Sequence, residues 1–249
     1  MRKLPVLLAV AGLASLSAPA LAQDEASPRA NSKGAYVTVG VGGGWAGSPS
    51  VAYSESGSVG GYTYSGTANG TTSLGGGVAL DAGIGYDFGN SIRGEVTYVL
   101  GSYAIGNTTY SGNLTSGGRT YTGNGTVSAS GNVSTNSVMF SGYYDFKSKS
   151  KFTPYVGAGI GYTGVSIPTM PASLTVNGST FNNLTVNGGS ASAFGYQAKI
   201  GVSYAVSKPA DVFGEVIYQG NTGVTINEVG YGALNAFSVR AGARLRFGS

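Results

Sequence analysis

Residues 236–247 read Ala-Phe-Ser-Val-Arg-Ala-Gly-Ala-Arg-Leu-Arg-Phe. Successive side chains of a strand point to opposite faces. Phe237, Val239, Ala241, Ala243, Leu245 and Phe247 therefore share one face, while Ser238, Arg240, Gly242, Arg244 and Arg246 share the other. A soluble sandwich would turn the arginines to water and the apolar row to a core. A closed barrel in a membrane would turn the apolar row to lipid and the arginines inward.

The rest of the chain decides between the two. Residues 34–45 set Val37, Val39, Val41 and Trp45 against Thr38, Gly40, Gly42 and Gly44, and 76–88 set Val78, Leu80, Ile84, Tyr86 and Phe88 against Asp81, Gly83, Gly85 and Asp87. The same two-residue period runs through 91–100, 137–146, 152–162, 193–206 and 212–218. With the last stretch these make eight strands. The connections alternate between about 30 residues and only a few, such as Gly89-Asn90. Long loops alternating with short turns are the layout of an outer-membrane barrel, loops outside and turns in the periplasm, and they place both chain ends on the periplasmic side.

Charge and aromatic placement favour the membrane. Asp81, Arg93, Glu95, Lys199, Glu215, Arg240, Arg244 and Arg246 all fall opposite the apolar row of their strand. A lysine or arginine facing lipid near the midplane would cost about 2–4 kcal/mol, and a bilayer enforces this one-sidedness. Trp45, Tyr98, Tyr162, Phe194, Tyr196, Tyr218 and Phe237 end the apolar rows on the loop side, and Tyr86, Phe88, Tyr144, Phe146, Tyr204 and Phe247 end them on the turn side. Two aromatic girdles at two headgroup levels follow. A soluble core would hold its large rings mid-strand.

The bulk composition agrees. The 249 residues include 44 glycines and 17 tyrosines, with 10% charged residues, no cysteine and no histidine. Strand and turn formers dominate. Missing histidine and cysteine remove the usual general base, thiol nucleophile and soft metal ligands. No catalytic residue, cofactor or metal site is expected. Residues 1–22 carry Arg2 and Lys3, a short apolar run and Ala20-Leu21-Ala22, the layout of a signal peptide cleaved before Gln23. Residues 23–33 read as a flexible lead-in and 34–249 as the barrel domain. Without Arg2 and Lys3, 12 bases face 10 acids, a bias too small and scattered to indicate nucleic acid.

The segments KFTPYVGAGIGY (151–162) and GYQAKIGVSY (195–204), with the arginine-bearing last strand, resemble the bacterial outer-membrane β-barrel family that includes the OmpA membrane domain, the opacity proteins and related surface antigens. The resemblance covers residues 34–247. It implies an all-β, eight-stranded antiparallel up-and-down transmembrane barrel with long extracellular loops and short periplasmic turns, located in the Gram-negative outer membrane. It also implies contact with outer-membrane lipid and with the secretion and barrel-assembly machinery. Gly248-Ser249 follow the terminal aromatic that such assembly machinery reads, and no peptidoglycan-binding region follows the barrel.

Eight strands enclose a space that side chains just fill. The eight lumenal charges are therefore expected to pair, either as a plug or as a gate favouring anions, because five bases face three acids. Lumenal glycines such as Gly83, Gly85, Gly157, Gly201 and Gly242 leave room for water or a narrow path, or for tight coiling. The long loops, about 46–75, 102–136, 163–192 and 220–235, are poor in charge and rich in Gly, Ser, Thr, Asn and Tyr. They read as hairpins above the membrane that either recognise a host, phage or cell-surface ligand or simply cap the barrel. The functions to separate are a non-enzymatic surface protein with a structural role in the envelope and a narrow porin for small solutes.

Overall fold

The computed structural model describes residues 33–59, 61–147 and 150–247. The expected signal peptide, most of the lead-in and Gly248-Ser249 lie outside the described residues. All regular structure in the described residues is β: β1 (Lys33–Ala46), β2 (Ser50–Val59), β3 (Tyr62–Phe88), β4 (Ile92–Ser116), β5 (Arg119–Ala129), β6 (Gly131–Asp145), β7 (Phe152–Ile167), β8 (Met170–Val176), β9 (Ser179–Val186), β10 (Gly189–Ala205), β11 (Ala210–Asn221), β12 (Val224–Ile226), β13 (Val229–Tyr231) and β14 (Asn235–Phe247).

Eight of them close a ring in the order β1, β3, β4, β6, β7, β10, β11, β14, every neighbour antiparallel. The last strand closes it. On one side β14 pairs with β11 through Arg240 opposite Glu215, and on the other with β1 through Gly242 opposite Gly40. Closure leaves no sheet edge at membrane depth, so all backbone groups there are satisfied within the protein. Both ends of the ring start at the short-turn side, where Lys33 pairs with Phe88 and Ala35 with Phe247.

The outer wall carries the apolar rows. Val39 (57%), Ile84 (65%), Phe140 (59%), Ile160 (58%) and Val239 (56%) are as exposed as surface residues, whereas Arg93 (0%), Arg240 (2%) and Asp87 (1%) are buried inside. A water-soluble protein would invert this arrangement. Of the girdle residues, Trp45, Tyr86, Phe88, Tyr98, Tyr144, Phe146, Tyr162, Phe194, Phe237 and Phe247 are exposed on that wall, and Tyr204 and Tyr218 are half-buried among neighbouring rings. Tyr218 packs at a tilt against Phe237, and Tyr204 against Phe152, each with ring centres 4.9 Å apart.

The strands run further than their apolar rows indicate. β3 has 27 residues and β4 has 25, where about 9–11 cross a membrane. Above the membrane part the ladder continues through Thr, Ser, Asn and Gly, as in Tyr64 opposite Ser116 and Asn69 opposite Ser111. The extension begins at an irregularity, with register shifts on either side of Leu74. Below it the odd-numbered residues of β3 face the lumen, and above it the even-numbered residues Tyr64, Ala68 and Thr72 face inward. The loops thus form a crown, a curved sheet in the order β12, β13, β2, β3, β4, β5, β8, β9.

Candidate functional site

The lumen is built in layers. At the turn end, the Arg246 Nη1 donates to Asp87 Oδ2 at 2.8 Å and its Nε donates to Asp211 Oδ2 at 3.1 Å. Arg244 Nη1 lies 3.6 Å from the same Asp211 oxygen, and Lys147 Nζ lies 4.0 Å from Asp87 Oδ1.

The next layer centres on Arg93, fully buried. Its Nε donates to Asp145 at 2.8 Å, Nη2 donates to the same carboxylate at 2.9 Å and Nη1 donates to the Tyr36 hydroxyl at 3.1 Å. The Arg93 guanidinium carbon lies 4.4 Å from the ring centre of Tyr143 and 5.2 Å from that of Tyr155. Glu95 is held by two phenols, Tyr36 donating at 3.0 Å and Tyr143 at 2.8 Å. Glu215 accepts from Tyr155 at 3.0 Å and lies 3.5 Å from Lys199 Nζ. Above these, Arg240 Nη1 donates to Asp81 Oδ1 at 2.7 Å.

All eight lumenal charges read from the sequence are thus inside and in contact with partners. The expected excess of base over acid is not there. Asp87, Asp145 and Asp211 join Asp81, Glu95 and Glu215, so six carboxylates meet those five bases and Lys147. Nothing in the balance favours an anion. Two of the added aspartates were readable: Asp87 and Asp145 sit opposite the apolar rows of their strands, one residue before the turn-end Phe88 and Phe146.

The lumen is also less purely polar, and less open, than its glycines indicate. Tyr36, Met139, Tyr155, Phe213 and Ile217 are buried inside it. Their rings take the glycine sites: a Cβ added at Gly157 would stand 2.5 Å from the Tyr143 ring, one at Gly201 would stand 2.6 Å from Tyr155, and ones at Gly85 and Gly242 would overlap Tyr36 and Phe213. Glycine here makes space for a neighbour's side chain rather than for water. Nearer the crown the filling turns apolar, with Ala46, Tyr103, Val133, Val165, Leu234 and Ala236 as one buried cluster.

Over that cluster the crown encloses a small cavity of about 80 Å³, lined by Leu74, Val127, Ile167, Met170 and Val224 among others. Higher up, a wider groove of about 460 Å³ opens to solvent between Tyr53, Tyr64, Tyr110 and Tyr121. Tyr53 donates to Glu55 Oε2 at 2.8 Å and Tyr64 to Glu55 Oε1 at 3.2 Å. These hydrogen bonds are the main reason both phenols stand above their ordinary pKa, since a neighbouring carboxylate opposes phenolate formation. Among the described residues, no three His, Cys, Asp or Glu side chains come together to hold a metal.

Residues 78–242 match a protein family described as "Surface antigen". Outer membrane protein PagN of Salmonella typhimurium is 31% identical over 136 residues, which are 54% of this chain and 52% of that protein. The chain thus spans about half the length of this curated relative. Among solved structures, the Neisserial surface protein A (NspA) is 21% identical over 86% of this chain and 97% of its own, with a TM-score of 0.40. OprG from Pseudomonas aeruginosa is 12% identical over 89% of this chain and 100% of its own, with a TM-score of 0.44.

Proposed function

The chain belongs to the surface antigen family, an outer-membrane β-barrel surface protein, and from that premise we propose that it works through its crown while its lumen stays sealed. The observation that carries this reading is the filling of the lumen: a layer of paired charges, a layer of tyrosines and an apolar cluster stacked along one narrow bore. Ions entering the lumen would have to break buried pairs, each costing about 3–5 kcal/mol when one partner is lost. The narrow porin has no comparable support. A non-enzymatic role is favoured by the composition, because a hydrolase needs an activated nucleophile or water. The crown's acids are Glu55 and Glu228, and Glu55 is already engaged by two phenols.

What the crown offers instead is surface. Two long β-strands carry the sheet well beyond bilayer thickness, and its outward residues are small, polar and almost uncharged. Residues 1–22 serve as the cleaved export signal in this reading, and a host, phage or neighbouring-cell ligand is the partner. The test compares cells displaying the wild-type chain with cells displaying a crown-trimmed variant at equal outer-membrane level. Trimming is expected to abolish adhesion and leave permeability to small solutes unchanged. Unchanged adhesion, or permeability that tracks the amount of wild-type protein, would contradict the reading.

A further inference from the structure

The crown groove has a definite chemistry. Cross-strand register builds it in rows: Glu55, Gly66, Leu114 and Tyr121 are successive partners across β2, β3, β4 and β5, and Tyr53, Ala68, Gly112 and Gly123 form the adjacent row. In these rows the middle strands supply Gly66, Ala68, Gly112 and Leu114 and the flanking strands supply Tyr53 and Tyr121, while the rings of Tyr64 on β3 and Tyr110 on β4 lie out over the flanking strands, so the sheet forms a trough rather than a flat face. Tyr64 leans over Gly57 towards Glu55, where a Cβ on that glycine would lie 2.8 Å from the ring, and Tyr110 leans the other way over Gly125. One wall therefore carries two phenols and a carboxylate, and the other carries two phenols.

We propose that this groove binds a small organic cation of the methylated-ammonium class, such as a choline headgroup, between the tyrosine rings and the Glu55 carboxylate. Among the described residues, Glu55 is the only charged one lining the groove. The only base in the long loops, Arg119, lies at the tip between β4 and β5 and does not line it. An anionic ligand, including an acidic or sulfated sugar, would meet an unopposed negative charge.

The choice of a methylated cation over a neutral sugar follows from the hydrogen bonds. Each Glu55 oxygen already accepts a phenol, and those phenols spend their hydrogens on it. What that wall still offers is charge and aromatic surface, with the Tyr110 and Tyr121 hydroxyls standing on the opposite wall. A tetraalkylammonium needs no donor or acceptor, presents an apolar surface, and is attracted by the ring faces. The volume of 460 Å³ lies within the range of small-molecule sites.

This inference rests on the crown being the working end of the protein, and it is tested on the solubilised full barrel, so its failure would leave the sealed lumen and surface display standing. Choline chloride and tetramethylammonium chloride are titrated calorimetrically into the barrel in a polyoxyethylene detergent, with lactose as the neutral comparator. Saturable binding of both cations is expected, weakening as ionic strength rises. Glu55→Gln, which keeps an acceptor for the phenols but removes the charge, and Tyr64→Leu are each expected to weaken it about tenfold or more, with the heat-dependent gel shift confirming that both variants fold.

No cation binding up to ~10 mM, equal binding by Glu55→Gln, or binding of lactose without choline would overturn the proposal. Once choline binding is established, phosphatidylcholine vesicles distinguish its sources. Vesicle capture reversed by free choline identifies a lipid headgroup, and choline binding without capture identifies a free solute; both outcomes support the site.

Discussion

Replacing Arg93 by methionine is the most informative perturbation of the lumen. Arg93 is fully buried, holds Asp145 through Nε and Nη2, donates to Tyr36 and lies over the rings of Tyr143 and Tyr155. Methionine fills much of the same volume, so the change isolates the charge. It strands Asp145, 4% exposed, and removes a nearby cation from Glu95, 7% exposed. Losing one partner of a buried pair costs about 3–5 kcal/mol, and the lost cation–π contacts add to this. The folding equilibrium in lipid vesicles should therefore shift by more than about a hundredfold.

The chain has a single tryptophan, Trp45, on the lipid-facing wall, so its emission on urea titration reports barrel unfolding directly. The double variant Arg93→Met with Asp145→Leu should recover a large part of the loss, because Asp145 is then no longer a stranded buried charge and Glu95 keeps its two phenol donors. A single-variant loss below about 1 kcal/mol, or a double variant as unstable as the sum of the singles, would refute the reasoning.

Further expectations concern the walls, the glycines and the crown. Val39→Arg should cost about 2–4 kcal/mol because its side chain faces lipid, while Ser111→Arg on the solvated outside of the crown should stay within about 0.5 kcal/mol, both read by urea titration. Gly85→Leu should overpack the lumen against Tyr36 and cost about 1–3 kcal/mol or more, whereas Gly142→Ala, where a Cβ meets nothing within 4 Å, should be neutral; the yield of heat-modifiable barrel separates them. Deleting the β8–β9 hairpin should leave the gel shift and the urea midpoint nearly unchanged, since neither strand belongs to the ring. A collapsed yield would mean that the crown is part of the folding unit.

The barrel was readable from the period of two because a bilayer keeps each apolar row in register with the pleat. Phe237 to Phe247 on β14 show it, as do Val78 to Phe88 on β3. Strand ends on the loop side were not readable, because above the membrane nothing requires an apolar row. β3 and β4 continue through Thr, Ser, Asn and Gly whose alternation carries no hydropathy signal. Lys33 likewise belongs to β1 through its pairing with Phe88, although its polar character reads as lead-in.

Inside the lumen, the charges were visible because each stands alone opposite an apolar row. Phe213 and Ile217 were not, since in β11 both faces carry apolar residues, Val212 and Val216 outward and Phe213 and Ile217 inward. Asp211 reads as part of the turn, yet it pairs with Arg244 and Arg246 from the next strand. The tyrosine-over-glycine fit depends on partners on neighbouring strands, such as Tyr155 over Gly201 from β7 to β10, which no local pattern reveals.

The central claim is that paired charges and buried rings seal the bore, and ionic current through single barrels in a planar bilayer tests it most directly. We expect no stable current steps for the wild-type protein at moderate voltage, and none when Arg240→Ala and Asp81→Ala together remove one paired layer, because the layer of Arg93, Asp145 and Glu95 still fills the bore. Well-defined wild-type openings with a reproducible conductance would contradict it, because ions would then be crossing the buried layer of Arg93, Asp145 and Glu95.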